Sequence, residues 1–238
     1  MLGIKTKILK YLEFHYQEKN KKLSNDLRIT ELMSFFKADE FGHESNIKNA
    51  DLGYGWIHYG LLRQIKAKTI LCVGSRYGYV PAILAQACHD NGFGKVDFVD
   101  AGFGDEIKKE GKSSWTGKGF WKTQEGRDHF KNFGLENNIQ LFVTTTQKFA
   151  KKYKNMGYDY IYIDGDHSYE GIKTDFKLFW PMLREGGFML LHDISIKETM
   201  PEGKYGVWKL WKEKAGENKI EISYLGSGLG IIQKKINR

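Results

Sequence analysis

The amino-acid sequence predicts an α/β protein in which helices cover both faces of a mostly parallel sheet. Short apolar runs alternate with segments of helical periodicity, as expected of repeated strand, helix, strand units. The clearest run, 158–163 (YDYIYI), is aromatic and β-branched with little charge, which is typical of a strand buried on both faces. Apolar residues then recur at helical steps of four, three and four residues: Ile172, Phe176, Phe179 and Leu183. Gly186 and Gly187 predict the end of that helix, and 188–191 predicts the next strand.

Residues 1–50 precede these strands and are predicted to form a helical N-terminal extension, followed by one domain over 51–238. Within the extension, 1–22 has apolar residues near helical spacing with lysines between them, and 27–37 predicts a second short helix. The first helix either packs on its own domain or on a second subunit, or lies on a membrane surface. Packing is the favoured interpretation.

A glycine-containing turn follows the first strand of the domain. A helix over 56–65 leads into this strand, 69–73 (TILCV), and Gly74 and Gly78 then precede a helix over 80–88. Glycines here let the backbone approach a ligand beside a helix N-terminus with free N–H groups. The turn matches neither the three-glycine dinucleotide pattern nor the phosphate-loop pattern, so a tight turn without a ligand is the alternative.

The second strand, 96–99 (VDFV), ends at Asp100, 26 residues after Gly74. An acid in this position of a nucleoside-binding α/β fold can accept hydrogen bonds from both ribose hydroxyls. Asp100 could instead cap the turn that follows. Ribose binding is favoured because the glycine turn lies beside it.

The rest of the chain adds a loop, three helices and three strands. Residues 101–122 are rich in glycine, lysine and aromatic side chains, and form either a lid over the site or a solvated insertion. The remaining elements are helices over 123–133, 147–153 and 205–214, and strands over 138–145, 220–224 and 229–233. A short glycine turn joins the last two strands, which predicts an antiparallel hairpin at the sheet edge.

Acidic residues and histidines follow both strands of the central unit. Asp164, Asp166 and His167 come after one strand, and His192 and Asp193 end the other. Because the carboxyl ends of parallel strands open onto one edge of the sheet, we expect these side chains to share a crevice.

Each of these side chains also has a structural interpretation. His192 could be a hydrogen-bonded structural histidine, and Asp193 could only order the loop after it. Capping of the helix that begins near Ser168 is favoured over metal ligation for Asp166. A functional role is favoured for Asp164 and His167.

Charge, cysteine content and hydrophobic runs indicate the kind of partner and the cellular location to expect. The net charge of +8 arises from 37 Lys and Arg against 29 Asp and Glu, which indicates a solvated basic surface or an acidic partner. Cys72 and Cys88 lie in a predicted strand and helix, so both are expected to be reduced core residues. No signal peptide or membrane-spanning run is visible, and we expect a cytoplasmic protein.

Taken together, these segments resemble the class I S-adenosylmethionine-dependent methyltransferases, in the small-molecule branch often found beside sugar-modifying genes. The likeness rests on ILCVGSRYG, VDFVD and IDGDHSYEGIKTDFKLFWPMLREGGFMLLHDI, followed by YGVWKLWKE and GLGIIQK. It spans residues 69–234. It implies a Rossmann-like, seven-stranded, mostly parallel sheet that ends in a reversed hairpin.

The resemblance also implies a cofactor site for S-adenosyl-L-methionine. Gly74, Ser75 and Gly78 would line the methionine part, and Asp100 would hold the ribose. Two positions depart from the family pattern. Cys72 stands where an acid is usual two residues before the first glycine. The acid often found near the adenine is also missing after the third strand, so Gln147 or a backbone group would serve there.

Methyl transfer to a hydroxyl requires removal of the hydroxyl proton, and the residues offer two means. A Mg²⁺ or other divalent cation held by Asp164 and Asp193, with His192 or Asp166, would lower the pKa of the acceptor. His167 would alternatively act as a general base. Relatives commonly place their third metal ligand one residue after the second acid. In this chain Ile194 occupies that place.

We therefore predict an O-methyltransferase acting on a small hydroxylated acceptor such as a sugar. An RNA methyltransferase is the alternative enzyme, although nucleic acid is not the favoured partner. The sequence is also compatible with a non-catalytic cofactor-binding protein that acts at a membrane surface or in an assembly. It is compatible as well with a homodimer joined through the N-terminal helix.

Overall fold

The computed structural model describes residues 26–40, 42–104, 117–200, 203–214, 218–223 and 226–236. Its strands are β1 (Thr69–Val73), β2 (Lys95–Asp100), β3 (Ile139–Val143), β4 (Tyr158–Ile163), β5 (Leu183–His192), β6 (Thr199–Met200), β7 (Gly203–Lys204), β8 (Asn218–Ile222) and β9 (Leu229–Gln233). Its α-helices are α1 (Asp26–Phe35), α2 (Tyr54–Ile65), α3 (Tyr79–Asn91), α4 (Gln124–Asp128), α5 (Thr146–Lys152), α6 (Tyr169–Phe179) and α7 (Val207–Glu213). Short 3-10 helices cover Ala38–Glu40, Ile47–Asn49, Phe120–Lys122 and His129–Phe133.

Within the described residues, seven strands form one sheet in the order β3-β2-β1-β4-β5-β9-β8. The pairs from β3 to β5 are parallel, whereas β9 is antiparallel to β5 and β8 is antiparallel to β9. This architecture confirms the predicted Rossmann-like fold with its reversed hairpin. The carboxyl ends of β1, β4 and β5 consequently lie side by side at one edge of the sheet.

Strand β4 lies at the centre of the sheet and separates two hydrophobic clusters. Tyr160 and Tyr162 are fully buried in the cluster that also contains residues of α1, α2 and α3. Tyr158, Ile161 and Ile163 are buried in the opposite cluster with residues of α5, α6 and α7. Side chains alternate across the strand over 160–163, so these four residues fill both layers. The register shift between Tyr158 and Tyr160 places Tyr158 in the second cluster.

The prediction that Leu183 continues the apolar helical face is wrong. Helix α6 ends at Phe179, and Leu183 already pairs with Tyr158 in β5. Gly186, with φ of +76°, lies inside β5 rather than at the end of a helix. Leu183 is apolar because, as the first residue of β5, it is buried in the same hydrophobic cluster as the apolar face of α6. Its helical spacing from Phe179 is a coincidence.

The N-terminal region contributes to the core from Leu32 onward. Leu32, Met33 and Phe36 belong to the same buried cluster as the sheet, and the Phe36 ring stacks on Phe130 at 5.6 Å. The predicted amphipathic helix over 1–22 lies outside the described residues. The division at residue 50 stays a prediction.

Two predictions from composition concern the core and the membrane. Cys72 and Cys88 are both buried free thiols, as expected of reduced core residues. None of the helices in the described ranges combines the length and the apolar character that a membrane crossing requires.

Candidate active site

Backbone hydrogen bonds join the ends of β1, β2 and β4 around Gly74. Its N–H donates to the Val99 carbonyl at 2.9 Å, and the Asp164 N–H donates to the Val73 carbonyl at 2.8 Å. Gly74 has φ of +72°, and a Cβ at this position would lie 2.2 Å from the Asp164 carbonyl oxygen. Glycine is therefore required here by the neighbouring strand end, not only by a ligand.

Four of the predicted side chains meet at this edge and form a carboxylate–histidine cluster: Asp164, His167, His192 and Asp193. His167 Nδ1 lies 2.5 Å from Asp193 Oδ2, and its Nε2 lies 3.9 Å from Asp164 Oδ1. His192 Nδ1 lies 3.1 Å from Asp193 Oδ1 and 3.3 Å from Asp164 Oδ1. Each carboxylate therefore faces both imidazoles. One ligand atom from each of Asp164, His167 and Asp193 also lies within 4.8 Å of the other two.

Two oxygen atoms contact the His192 ring at Nε2, whereas the carboxylates lie at Nδ1. His192 Nε2 lies 3.1 Å from the Gly42 carbonyl oxygen and 3.2 Å from Ser227 Oγ. Ser227 Oγ donates its own proton to the same Gly42 carbonyl at 2.5 Å. Because a carbonyl only accepts, Nε2 carries a proton. Nδ1 then points towards the carboxylates, and it is buried without a hydrogen bond of favourable geometry.

Sequence analysis missed His43, which completes the buried wall behind the cluster. Its side chain is 4% exposed, and its ring centroid lies 4.8 Å from that of His192. The Tyr54 N–H donates to the His43 carbonyl at 2.8 Å and fixes the segment that carries it. No periodicity or motif marks this residue, because its partner lies far away in the sequence.

The pKa values of the cluster follow from this pairing. Burial alone would lower the pKa of His192 and of His167, but the two carboxylates outweigh it and raise both above 6.5. Burial would raise the pKa of Asp164 and of Asp193, but the two histidines hold both below 3.8. Burial and the neighbouring His192 charge lower the pKa of His43 to about 4.

The residue after Asp193, where relatives commonly place their third metal ligand, does not face the site. Ile194 is 3% exposed and packs in the hydrophobic core, so its side chain faces away from the site. Asp193 has φ of +60°, an uncommon left-handed conformation that Asp tolerates better than most residues. The predicted role of His192 as the third ligand beside Asp164 and Asp193 stays a prediction.

Asp166 supports the start of α6, but the residue that caps the helix is Ser168. Asp166 Oδ1 accepts the Ser168 N–H at 2.9 Å, and Ser168 Oγ accepts the Gly171 N–H at 3.1 Å at the start of α6. The Asp166 side chain is exposed. The prediction that Asp166 itself caps the helix is therefore wrong, because its carboxylate bonds to the N–H of the capping residue and not to an N–H of the helix.

On the cofactor side, Asp100 connects two loops. Its Oδ1 accepts the Gly102 N–H at 2.7 Å, and its Oδ2 accepts the Ser75 N–H at 3.4 Å. Burial raises the pKa of Asp100 to about 6, although these N–H donors oppose the shift. The carboxylate is thus both a turn cap and a neighbour of the glycine turn. Its ribose role stays a prediction.

Aromatic side chains support the glycine turn. Gly78 has φ of +88° at the start of α3, and a Cβ there would lie 3.0 Å from the Trp121 ring and 3.1 Å from the Phe130 ring. Trp121 Nε1 donates to the Ser75 carbonyl at 3.0 Å. Trp121 is fully buried, so this residue of the predicted lid belongs to the core. Trp115 lies outside the described residues.

Cys72 and Gln147 occupy the two positions that depart from the family pattern. Cys72 is fully buried with Sγ 3.8 Å from the Gly74 carbonyl oxygen, and burial raises its pKa well above 9.0. Gln147 is exposed near the N-terminus of α5, and its Oε1 accepts the Thr146 hydroxyl at 3.3 Å. Contact of Gln147 with an adenine stays a prediction.

Asp175 of α6 is a buried acid beside the site and gives a test of stability. It is 4% exposed, and burial raises its pKa to about 7, against a hydrogen bond from Thr146 that lowers it. An acid whose pKa is higher in the folded state destabilises the fold as pH rises from about 4 to about 7, because the unfolded chain ionises first. Asp175→Asn is therefore expected to be more stable than the wild type above pH 7, by about 2–4 kcal/mol. The two should converge near pH 4.

Urea unfolding of both proteins at several pH values measures this difference. A difference between them that does not change with pH would contradict the buried, protonated state of Asp175.

With the fold and the cluster established, comparison with known proteins identifies the family. A family model described as a methyltransferase domain matches residues 71–194, which include β4, β5, the end of β1 and the whole carboxylate–histidine cluster. The chain belongs to this methyltransferase family. Among curated proteins, an uncharacterised protein of Sinorhizobium fredii is 24% identical over 191 residues. That match covers 74% of this chain and 19% of the relative, so the chain spans about a fifth of the relative's length.

Solved methyltransferase structures share the fold. An O-methyltransferase from Bacillus cereus in complex with SAH superposes with a TM-score of 0.61 at 16% identity, covering 91% of this chain and 94% of that chain. The O-methyltransferase TomG from Streptomyces achromogenes, in complex with SAM, gives a TM-score of 0.58 at 13% identity, covering 95% of this chain and 96% of that chain. At these identities the likeness concerns the fold alone.

Proposed function

We propose that this methyltransferase transfers a methyl group from S-adenosyl-L-methionine to the hydroxyl of a small acceptor such as a sugar, with help from a divalent cation. The observation that supports this most is the carboxylate–histidine cluster. It lies at the same sheet edge as the glycine turn. It combines the imidazole of His167, which would be the base, with Asp164, His192 and Asp193, which would hold a cation.

The residues at the ends of β1 and β2 fit the cofactor. S-adenosyl-L-methionine supplies an electrophilic methyl group when it is bound. Ser75 is buried in the turn between Gly74 and Gly78, and the Asp100 carboxylate lies beside it with two acceptor oxygens for ribose hydroxyls. Gln147, at the N-terminus of α5, would face the adenine.

The cation position would be held by Asp164, His192 and Asp193. A bound divalent cation would lower the pKa of the acceptor hydroxyl. The donor set is the observation that fits a metal, because one ligand atom from each of Asp164, His167 and Asp193 lies within 4.8 Å of the other two. His192 Nδ1 lies 3.1 and 3.3 Å from the same two carboxylates, so a bound cation would take the place of its proton. The negative potential of Asp164 and Asp193 that raises the His192 pKa also attracts a cation.

His167 is the proposed general base for the acceptor hydroxyl. Asp193 Oδ2 accepts the Nδ1 proton of His167 at 2.5 Å, which fixes the ring, and Nε2 is the nitrogen that would take the proton of the acceptor. The Tyr205 ring lies 5.2 Å from the His167 ring and restricts its rotation. Asp164 lies close enough to Nε2, at 3.9 Å, to stabilise the imidazolium that forms.

Calorimetric titration of the purified protein with S-adenosyl-L-methionine, and separately with NADH, tests the cofactor. We expect micromolar binding of the former alone. Asp100→Asn is expected to weaken it roughly 10- to 100-fold, because hydrogen bonds to a charged group are each worth about 1.5–3 kcal/mol.

Asp97→Asn is the matched control, since Asp97 is on the same strand but pairs with Tyr158 Oη at 2.7 Å, away from the turn. No binding of either cofactor would favour the non-catalytic alternative. Binding of NADH alone would instead indicate an oxidoreductase. Equal affinity in the Asp100→Asn and Asp97→Asn variants would remove the ribose role of Asp100.

A further inference from the structure

We infer that two copies of this chain associate through strand β3 and join their sheets into one. Strand β3 is the first in the sheet order, and it pairs only with β2 among the strands that the structure describes. Its other side is therefore open to a strand from a second molecule. Association through this edge is independent of the proposed function, because it uses neither the carboxylate–histidine cluster nor the glycine turn.

The open side of β3 presents the backbone groups of alternate residues. The Val96 N–H of β2 donates to the Asn138 carbonyl at 2.8 Å. The Thr144 N–H donates to the Asp100 carbonyl of β2 at 3.0 Å. Even-numbered residues of this segment therefore bond to β2, and the direction of the backbone groups alternates along a strand. Three residues consequently point their N–H and C=O groups away from β2: Ile139, Leu141 and Val143.

The two edges of the sheet differ in charge. Natural sheets usually protect an exposed edge with charged side chains, proline or bulges. Strand β8, at the opposite edge, has such protection, because its sequence NKIEI contains Lys219 and Glu221. The β3 sequence IQLFV contains no charged residue and no proline, and its Val143 side chain is 37% exposed. Strand β3 is therefore the edge that favours pairing.

The open side of β3 is complementary to itself. In an antiparallel pair centred on Leu141, Ile139 of each copy lies opposite Val143 of the other, and the two Leu141 residues face each other. Each of these pairs would exchange two backbone hydrogen bonds. Such a closed two-fold arrangement is the commonest symmetry of protein oligomers. A second copy of the chain therefore satisfies every outward-facing backbone group of β3.

A groove beside β3 would receive a side chain of the second copy. Its volume is about 340 Å³, and it is lined by residues 141–144 together with Lys148, Phe149, Lys152 and Tyr153. In the register centred on Leu141, Gln140 of the second copy lies opposite Phe142, on the face of the sheet that carries α5. Gln140 is exposed in the single chain, so pairing would bury it in the groove, where its amide oxygen can accept from the lysines.

The two ends of β3 carry charges of opposite sign. Glu136 precedes the strand, Lys148 follows it in α5, and both side chains are exposed. The antiparallel register places Glu136 of each copy opposite Thr146 of the other, two residues before Lys148. Two equivalent ion pairs would therefore form across the interface. They offset part of the repulsion between two copies that each carry a net charge of +8.

Sedimentation velocity of the full chain over a range of concentrations tests this association. We expect a species of twice the 27.5 kDa chain mass, with a Kd in the micromolar range that is usual for modest interfaces. Val143→Lys should weaken the dimer by at least about tenfold, because each lysine would lose water beside the paired strands. Ile220→Lys is the matched control. Ile220 is an exposed apolar residue of the opposite edge strand, so this variant should dimerise like the wild type.

Charge reversal and hydrogen exchange locate the contact. Glu136→Lys and Lys148→Glu should each weaken the dimer, whereas the double variant should restore it, because each proposed ion pair joins one copy to the other. The backbone amides of Ile139, Leu141 and Val143 should exchange more slowly at concentrations where the dimer forms.

Three outcomes would overturn the inference. The first is a monomer at about 100 µM, a concentration at which a dimer with a micromolar Kd is largely assembled. The second is a dimer that Val143→Lys leaves intact, which would place the contact on another surface such as the N-terminal extension. The third is slow exchange of the three amides in a monomer, which would mean that another segment of the same chain covers β3.

Discussion

Replacing His167 with alanine is expected to lower kcat by about 10²- to 10⁴-fold, the usual contribution of a general base. His167 Nε2 would receive the acceptor proton, and Nδ1 is held at 2.5 Å by Asp193. The variant should remain folded, because the His167 side chain lies at the edge of the sheet and outside both hydrophobic clusters. Steady-state kinetics with a methylatable acceptor, together with a thermal melt, measures both effects.

A comparable loss is expected for Asp164→Ala, since this carboxylate faces His192 and His167 at 3.3 and 3.9 Å. Asp166→Ala is the matched control. It removes a neighbouring acid that accepts the Ser168 N–H before α6, so it should cost about 1 kcal/mol of stability and little activity. Full activity in both the His167 and Asp164 variants would exclude the roles assigned to them.

The sheet was predictable because its signals are local. Strands such as β1 and β4 are short apolar runs that carry their own pattern, and their observed bounds, Thr69–Val73 and Tyr158–Ile163, equal the predicted ones. The parallel topology then placed the ends of β4 and β5 at one edge. Asp164, His167, His192 and Asp193 follow those ends directly, so their meeting could be inferred without coordinates.

The supporting shell of the site was not predictable in this way. The contact from His192 Nε2 to the Gly42 carbonyl joins residues 150 positions apart, and Ser227 reaches Gly42 across 185 positions. A backbone carbonyl leaves no signal in a residue pattern, and His43 stands in a polar, irregular segment. Only the packing of the N-terminal region and of the last hairpin against β5 brings these groups together.

At Gly74 the sequence indicated that a glycine is needed, but it did not indicate which part of the structure requires it. A glycine after a strand was interpreted as room for a ligand. In the structure the closest atoms to a Cβ at Gly74 are those of the Asp164 carbonyl and Gly165, so the neighbouring strand end already excludes a side chain. The same position therefore controls where Asp164 lies.

Gly74→Ala is accordingly expected to destabilise the fold by about 3 kcal/mol or more, and to displace Asp164. Two costs combine in this variant. An alanine at φ of +72° costs about 1–2 kcal/mol, and its Cβ would lie 2.2 Å from a backbone oxygen that can move only with β4. Gly92→Ala separates the two costs, because Gly92 has φ of +74° and a Cβ there meets nothing within 4 Å.

Urea unfolding measures the free energy of unfolding of both variants. The difference between them is the cost of the contact with the Asp164 carbonyl, because both variants share the cost of the positive φ. We expect Gly92→Ala to lose about 1–2 kcal/mol and to keep its activity. If Gly74→Ala folds, its activity should fall towards that of Asp164→Ala, because the carboxylate moves with its backbone. Equal stability losses in the two glycine variants would mean that β1 and β4 separate at little cost, and that the position of Asp164 does not depend on the turn.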